Sequence, residues 1–311
     1  MIQISHKAKQ FLAVVAKLLV VVAAFYFIYY KLANDEAVKS GLFLEKIQNN
    51  FSWAAIFILL LLSFLNRFLE IIKWQNLITT IKKISIGEAS KQVLAALTLS
   101  IFTPNGIGEY AGKALFYPKN QTKEIIFLNL VCNGIQMVLS ILLGNAGLVW
   151  FNQITKIISN TQLLLAFGIL IIIIGLVFSL QKVAIRGYSI QKLFEKLHSI
   201  PQKVHRKNIG LAISRYLIFS HQNLLLFVLL GVELPYFTMM AAITAVYFLS
   251  SSLPAFQMFD FAIKGSVALL FFAPLGVEDW VPILVTTIMW FLNVVLPVVI
   301  GSYYVMKFKL K

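Results

Sequence analysis

Long uninterrupted runs of apolar residues dominate the pattern of the chain. A run of about 20 apolar residues is long enough to cross the hydrocarbon layer of a bilayer as an α-helix. Such runs predict six membrane-spanning helices, at residues 11–30, 53–72, 125–150, 161–180, 209–230 and 281–306. The first run ends in aromatic residues, Tyr26, Tyr29 and Tyr30, which is typical of a retained helix at the membrane interface. The alternative is a cleaved signal peptide, whose apolar core is usually shorter.

Two further apolar regions, 93–117 and 240–273, are each interrupted near the middle. The interrupting residues are Pro104, Asn105, Gly106 and Gly108 in the first region and Pro254 in the second. Proline cannot continue the helical hydrogen-bond ladder, and glycine loosens the backbone further. Non-helical backbone at membrane depth is tolerated only where it is buried in protein or lines a cavity. Each region is therefore either a kinked span or a hairpin that enters and leaves the membrane on one side.

The distribution of charge favours the hairpins. Of the 311 residues 59% are apolar and only 13% are charged, too few to form the surface of a soluble domain. Cytoplasmic loops of membrane proteins are enriched in Lys and Arg. Two hairpins and a cytoplasmic N-terminus place most of the 27 Lys and Arg residues in cytoplasmic loops, whereas two single crossings divide the loop cations almost evenly. This predicts a multi-pass protein of the cell (inner) membrane with both termini in the cytoplasm.

The two interruptions resemble each other, which indicates an internal repeat. After each proline an acidic residue, an alanine and a lysine follow at the same mutual spacing. The matched residues are Glu109, Ala111 and Lys113 in the first region and Asp260, Ala262 and Lys264 in the second. Upstream, Arg67 and Arg215 begin a second matched triplet, again about 150 residues apart. The alternative is chance recurrence of short patterns in apolar sequence.

The repeat predicts the architecture. Residues 1–155 and 156–311 would form the two halves of a single membrane domain, each with three spans and one hairpin. An odd number of crossings inverts the second half relative to the first, an arrangement typical of secondary transporters. The predicted fold is thus an all-α polytopic membrane protein, with six full transmembrane helices plus two broken re-entrant helical hairpins in an inverted-topology repeat.

Two stretches of the first half resemble a known family. TPNGIGEYAGKALFY at residues 103–117 and NRFLEIIKW at residues 66–74 are similar to segments of the membrane domain of lysylphosphatidylglycerol synthases, which also occurs as stand-alone flippase-like proteins. The resemblance implies translocation of aminoacylated phospholipids. It also implies that the synthase domain is absent, because the chain ends at Lys311 just past its last span. The second half departs from the pattern, since LPAFQMFD lacks the glycines and has Asp260 in place of the usual glutamate.

Charged residues inside the predicted spans and hairpins are the candidate site. Such charges are costly in a bilayer and usually face the protein interior, where they have a function. The candidate substrate-binding or coupling residues are Glu109, Asp260, Arg67, Arg215, Lys113 and Lys264. The cations suit a phosphate group, and the two carboxylates, each in the first turn of a restarting helix, suit an ammonium group or a coupling proton.

A structural interpretation competes with this one. Arg67–Glu109 and Arg215–Asp260 would then be ion pairs that hold each hairpin against its neighbouring span, while the lysines extend to the membrane interface. Arg67 could equally pair with Glu70, three residues further along the same helix face. His221, Asn66, Asn133 and Gln136 are expected to be hydrogen-bonded packing residues between helices.

The chemistry-bearing residues are too few for most enzyme classes. The sequence has no carboxylate cluster for Mg²⁺, no His/Cys metal spacing and no phosphate-binding glycine loop, so no catalytic residue, metal or cofactor is predicted. Scattered loop cations without a binding module do not indicate nucleic acid. The predicted function is binding or flipping of an anionic, zwitterionic or aminoacylated lipid. The alternatives are a membrane-embedded lipid-modifying transferase and a non-catalytic accessory subunit of a lipid-synthesis enzyme.

Overall fold

The structure is a computed structural model that describes three parts of the chain. These are residues 51–157 except 102, 104 and 105, residues 189–308 except 254 and 255, and scattered single residues of 1–50 and 158–188. The predicted spans 11–30 and 161–180 therefore lie outside the described residues, as do the predicted break residues Pro104, Asn105 and Pro254.

The described part is all-helical. Its α-helices are α1 (Trp53–Ile78), α2 (Ile86–Ser100), α3 (Ile107–Ala114), α4 (Thr122–Thr155), α5 (Ile190–His198), α6 (Gln202–Leu229), α7 (Tyr236–Ser252), α8 (Asp260–Phe272), α9 (Trp280–Trp290) and α10 (Leu296–Met306). Short 3₁₀ turns precede α4 and α8 and follow α8, at Lys119–Gln121, Gln257–Phe259 and Ala273–Leu275. A π-helical turn, Phe291–Val295, joins α9 to α10.

Within the described residues, five helical segments are long and apolar enough to cross a membrane. They are Trp53–Ile78, Lys119–Thr155, Gln202–Leu229, Gln257–Leu275 and Trp280–Met306. Four of them coincide with predicted spans, which confirms those spans as helices, and together the five fit a multi-pass membrane protein. The segment Gln257–Leu275 belongs instead to the second broken region, and its partner α7 is a shorter apolar helix.

Local signals set where several helices begin. Ser52 caps α1, because its hydroxyl oxygen accepts the backbone N–H of Ala55 at 3.2 Å. Ser85 caps α2 in the same way, by accepting the backbone N–H of Glu88 at 3.1 Å. Prolines occupy the position just before α6 and α7, Pro201 and Pro235. The helix starts follow from the sequence even where the apolar pattern alone is ambiguous.

The first broken region folds back on itself. Gly106 has a φ of 68° immediately before α3, a conformation that glycine adopts without strain. Gly108 is not part of the break, because it lies within α3. A Cβ at Gly108 would lie 2.5 Å from the carbonyl oxygen of Leu99, and one at Gly112 would lie 2.8 Å from Cα of Ala96. The chain of α3 therefore runs antiparallel along α2 in close contact.

The second broken region also forms a helical hairpin. The connection before α7, residues 230–234, lies against the connection after α8, and both line one surface pocket. Hence α8 ends beside the start of α7. The turns of the two hairpins meet, because the backbone N–H of Met258 donates to the carbonyl oxygen of Ile101 at 3.2 Å. Ser100 also donates its hydroxyl to Oε1 of Gln257 at 2.7 Å.

The two hairpins begin at opposite ends of the α1–α6 pair. These helices pack antiparallel, since the side-chain amide of Gln222 near the end of α6 donates to the carbonyl of Leu59 near the start of α1. The first hairpin begins beside the C-terminal end of α1, where the indole N–H of Trp74 donates to Gln92 at 2.7 Å. The second begins beside the C-terminal end of α6, where Tyr236 hydrogen-bonds His221 at 2.9 Å.

Each hairpin packs on the helix that follows the other hairpin along the chain. α4, which follows the first hairpin, packs on α7 of the second, while α10 packs on α2 of the first. Both contacts rely on glycine, because a Cβ at Gly147 would overlap the side chain of Thr244 and one at Gly301 would overlap the carbonyl oxygen of Leu94. Each hairpin is therefore fixed by a helix that is distant in sequence, since Gly147 and Thr244 are 97 positions apart and Gly301 and Leu94 are 207 positions apart.

Candidate functional site

A charged cavity lies between α1, α6, α9 and the two hairpins. Its volume is about 200 Å³. The ionisable side chains that line it are Arg67, Glu70, Glu109, Arg215, Asp260 and Lys264. Five of the six residues predicted from the sequence thus come together here. The sixth, Lys113, lies behind Glu109 with no exposed surface.

In the first hairpin, the carboxylate of Glu109 pairs with the lysine one turn further along α3. Nζ of Lys113 lies 2.7 Å from Oε1 of Glu109 and donates to Oδ1 of Asn129 at 2.6 Å. The same ammonium lies 4.6 Å from the ring centroid of Trp74. The predicted Arg67–Glu109 pair is therefore wrong, and so is the expectation that Lys113 extends to the membrane interface.

The second hairpin repeats this arrangement. Nζ of Lys264 lies 2.5 Å from Oδ2 of Asp260, one turn apart on α8, and the two side chains are about a quarter exposed. The predicted Arg215–Asp260 pair is wrong as well. The reason is common to both hairpins, because side chains at positions i and i+4 are neighbours on one helix and need no tertiary contact to pair.

Arg215 pairs instead with Glu70 across the α1–α6 interface. Its Nη1 lies 2.7 Å from Oε2 of Glu70, a carboxylate with only 4% of its side chain exposed. Lys73 lies 3.4 Å from the same oxygen and donates to the carbonyl of Cys132 at 3.0 Å. The expected local pair of Arg67 with Glu70 is therefore wrong. Lys73 is absent from the sequence-based candidates because the predicted span ends at residue 72, whereas α1 continues to Ile78.

Arg67 differs from the other cations of the lining. Its Nη2 donates to the carbonyl oxygen of Asn293 at 2.7 Å, while its Nε is buried without a hydrogen-bond partner. Among the ion pairs of the described residues, none joins Arg67 to a carboxylate. A buried guanidinium with an unsatisfied N–H favours an anionic ligand, because a buried donor without an acceptor is costly.

Asn66 and Asn293 connect the two arginines. Nδ2 of Asn66 donates to Oδ1 of Asn293 at 2.7 Å, and Oδ1 of Asn66 accepts Nε–H of Arg215 at 2.9 Å. Nδ2 of Asn293 in turn donates to Oε1 of Gln222 at 3.0 Å. We call Asn66, Asn293 and Gln222 the amide relay. It holds both guanidinium groups against one wall of the cavity.

The π-helical turn explains why Asn293 can serve both arginines. Such turns inside α-helices often occur at functional sites. Pro297 follows Asn293 by four residues and has no N–H, so the carbonyl of Asn293 lacks its usual helical donor and accepts from Arg67 instead. The Asn–Pro spacing is visible in the sequence, but the π-turn and the pairing with α1 are not. The sequence prediction of Asn66 as a polar contact between helices is confirmed.

The two predicted carboxylates separate the cavity from a second, more open pocket. This pocket has a volume of about 340 Å³ and lies between the two hairpin turns. Glu109, Asn133, Gln257 and Asp260 line both spaces. Nδ2 of Asn133 lies 3.5 Å from Oε2 of Glu109. The two carboxylates thus lie where the two spaces adjoin.

His221, another titratable residue discussed from the sequence, lies outside the charged cavity. His221 hydrogen-bonds the carbonyl of Leu217 at 2.8 Å and the hydroxyl of Tyr236, which confirms the packing role expected from the sequence. In the described part of the chain no group of three or more His, Cys, Asp or Glu side chains is placed to hold a metal ion. A scan against models of known protein families finds no match, and a search of curated proteins finds none either.

Proposed function

We propose that this protein binds a lipid by its charged headgroup in the central cavity and flips it across the cytoplasmic membrane. The observation that carries the proposal is Arg67, a cavity-lining guanidinium that no described carboxylate pairs, with a buried Nε that lacks a hydrogen bond. A phosphate group would provide the missing acceptor and the missing charge. At about 200 Å³ the cavity is smaller than a typical small-molecule pocket of about 300–1,000 Å³, which suits a headgroup while the acyl chains stay in the bilayer.

The carboxylates would serve the cationic part of a zwitterionic or aminoacylated headgroup. Glu109 and Asp260 each have a lysine as their present partner, so an incoming ammonium would exchange with a lysine ammonium of the same charge. Both carboxylates border the second pocket as well, which supports a role for them in passage of the headgroup between the two spaces. Protonation of either carboxylate would offer an alternative means of coupling transport to a proton gradient.

The architecture proposed for this function is an inverted repeat, with the halves 1–155 and 156–311 and two re-entrant hairpins. Three observations support it: the hairpins begin at opposite ends of the α1–α6 pair, their turns are in contact, and each packs on a long helix from the other half. Displacement of one turn against the other would open the cavity first to one face and then to the other. Cytoplasmic termini complete the proposed topology.

The family resemblance bears on the same residues. The stretches 66–74 and 103–117, which are similar to lysylphosphatidylglycerol synthase membrane domains, contribute Arg67, Glu70 and Glu109 to the lining of the cavity. A resemblance that falls on the cavity supports membership of that family and a lipid substrate. We therefore propose that the chain is a flippase-like member of that family.

Reconstitution into sealed vesicles tests the proposal. Vesicles would carry fluorescent lipids with cationic, zwitterionic or anionic phosphate headgroups, and a membrane-impermeant quencher would report how fast inner-leaflet lipid reaches the outer face. We expect wild-type protein to accelerate exchange of at least one of them. We expect Arg67→Gln to abolish the acceleration, and Lys156→Gln, at an exposed position after α4, to leave it unchanged.

The other outcomes separate the alternatives. If no headgroup exchanges faster than in protein-free vesicles, translocation is wrong. Turnover of donor and acceptor lipids by the purified protein in detergent would instead identify a transferase. Copurification with a lipid-synthesis enzyme, without either activity, would identify an accessory subunit.

A further inference from the structure

Exposed cations crowd one end of the helix bundle. The connection after α1, residues 79–85, and the segment 190–207 lie together there, because Ile84, Ile200 and Trp74 pack in one buried cluster. These two segments expose Lys82, Lys83, Lys196, Lys203, Arg206 and Lys207, which we call the basic face. Within these two described segments, Glu195 is the one acidic residue beside the cations.

The described connections at the opposite end of the bundle are acidic on balance, although Lys156 also lies there, since Trp150 near the end of α4 packs on Phe237 at the start of α7. The connections before α7 and after α8 carry Glu233, Glu278 and Asp279 and no lysine or arginine. The basic face is therefore a property of one end and does not merely reflect the high overall charge. Opposite charges at the two ends suit a protein whose ends meet different environments.

α5 adds exposed apolar side chains to this basic end. Leu193 and Phe194 are 42% and 38% exposed, although Leu197, one turn further on, packs against the buried cluster. His205 hydrogen-bonds the carbonyl of Leu197 at 2.8 Å, and Nζ of Lys196 lies 4.7 Å from the ring centroid of Phe127, so the helix is fixed to the bundle. A short helix that exposes apolar and basic side chains together is typical of helices that lie in the membrane interface.

We propose that the basic face and α5 form a second lipid-binding surface, which holds anionic headgroups of one leaflet while Leu193 and Phe194 enter the interface. Lysine and arginine attract anionic lipids over distances of about a Debye length. An acidic protein partner fits less well, because the exposed apolar pair lies at the end of an apolar bundle, where the bilayer surface is located. This inference is independent of lipid flipping, since the basic face lies outside the charged cavity.

An environment-sensitive label on α5 tests the proposal with the full chain. The variant Leu193→Cys in a Cys132→Ala background would be labelled with bimane and placed in phosphatidylcholine nanodiscs with 0 to about 30% phosphatidylglycerol. We expect the label emission to shift to shorter wavelength as the phosphatidylglycerol content rises. We expect the shift to disappear in 1 M salt, where the Debye length is about 3 Å.

Charge variants separate the electrostatic contribution to membrane binding from the apolar one. A combined Lys196→Gln, Lys203→Gln and Lys207→Gln variant should need several-fold more phosphatidylglycerol for the same shift, whereas Glu195→Gln should need less. If the bimane emission lies at the same short wavelength in pure phosphatidylcholine, the proposal is overturned, because apolar contact alone would then bind α5 to the membrane interface. A label that stays in water at every lipid composition would also overturn it and would leave an acidic protein as the partner of this face.

Discussion

Substitution of Asn293 tests whether the amide relay positions Arg215. The change Asn293→Ala removes the hydrogen bond to Asn66 at 2.7 Å and the bond to Gln222 at 3.0 Å. It leaves the bond from Arg67 intact, because that bond goes to the backbone carbonyl of residue 293. Arg215 is affected only through Asn66, which accepts its Nε–H.

The expected loss of stability follows from the two bonds. Hydrogen bonds between side chains in a helical membrane protein contribute about 0.6 kcal/mol on average and up to about 1.7 kcal/mol. Loss of two such bonds therefore predicts a decrease of about 1–3 kcal/mol in the free energy of unfolding. Thermal unfolding in detergent would measure the change, and the vesicle exchange assay would measure how far the translocation rate falls.

Asn293→Asp is the matched variant. It keeps the acceptor for Asn66 but places a carboxylate beside Arg67, where it would compete with an anionic headgroup. We therefore expect the Asp variant to be impaired in exchange more than the Ala variant, although the shape of the side chain is conserved. If Asn293→Ala is as stable as wild type and Asn293→Asp exchanges lipid at the wild-type rate, the relay does not position Arg215.

Three further predictions concern the hairpins. Lys113→Met should lower the free energy of unfolding by about 3–5 kcal/mol, because it leaves the carboxylate of Glu109 without its partner in the interior. Lys264→Met should lower it clearly less, because the Lys264–Asp260 pair is more exposed. Equal shifts of the unfolding temperature for the two variants would contradict this. Gly301→Leu should lower stability by about 1–3 kcal/mol or more in the same assay, because its side chain meets the backbone of α2, and an unchanged unfolding temperature would refute that packing. Lys119→Cys and Glu278→Cys in the Cys132→Ala background should react with impermeant reagents from opposite faces of the membrane, and labelling from the same face would rule out the inverted topology.

Much of the fold can be predicted from the sequence, because a bilayer imposes simple rules on it. The apolar runs of α1, α4, α6 and α9–α10 are readable as spans, and the break at Gly106 is readable from the glycine and proline pattern. The cavity-lining charges are also predictable, since isolated charges in apolar segments seldom face lipid.

The ion pairs within the site could not be predicted from the sequence, and the reason is physical. Glu109 and Asp260 each had an arginine on a neighbouring span and a lysine on their own helix, and spacing alone does not decide between them. Lys73 was missed because a span of about 20 residues ends before it, although the helix continues. Asn293 was missed because its role depends on a π-turn and on the approach of α1 to that turn.

The exchange of long helices between hairpins has a consequence for biosynthesis. The face of α2 that receives Gly301 stays uncovered until α10 has left the ribosome, because Leu94 and Gly301 are 207 positions apart in the sequence. Contacts between residues this far apart in sequence form slowly. The groove on α2 therefore stays open during synthesis of about two hundred further residues, until α10 closes it.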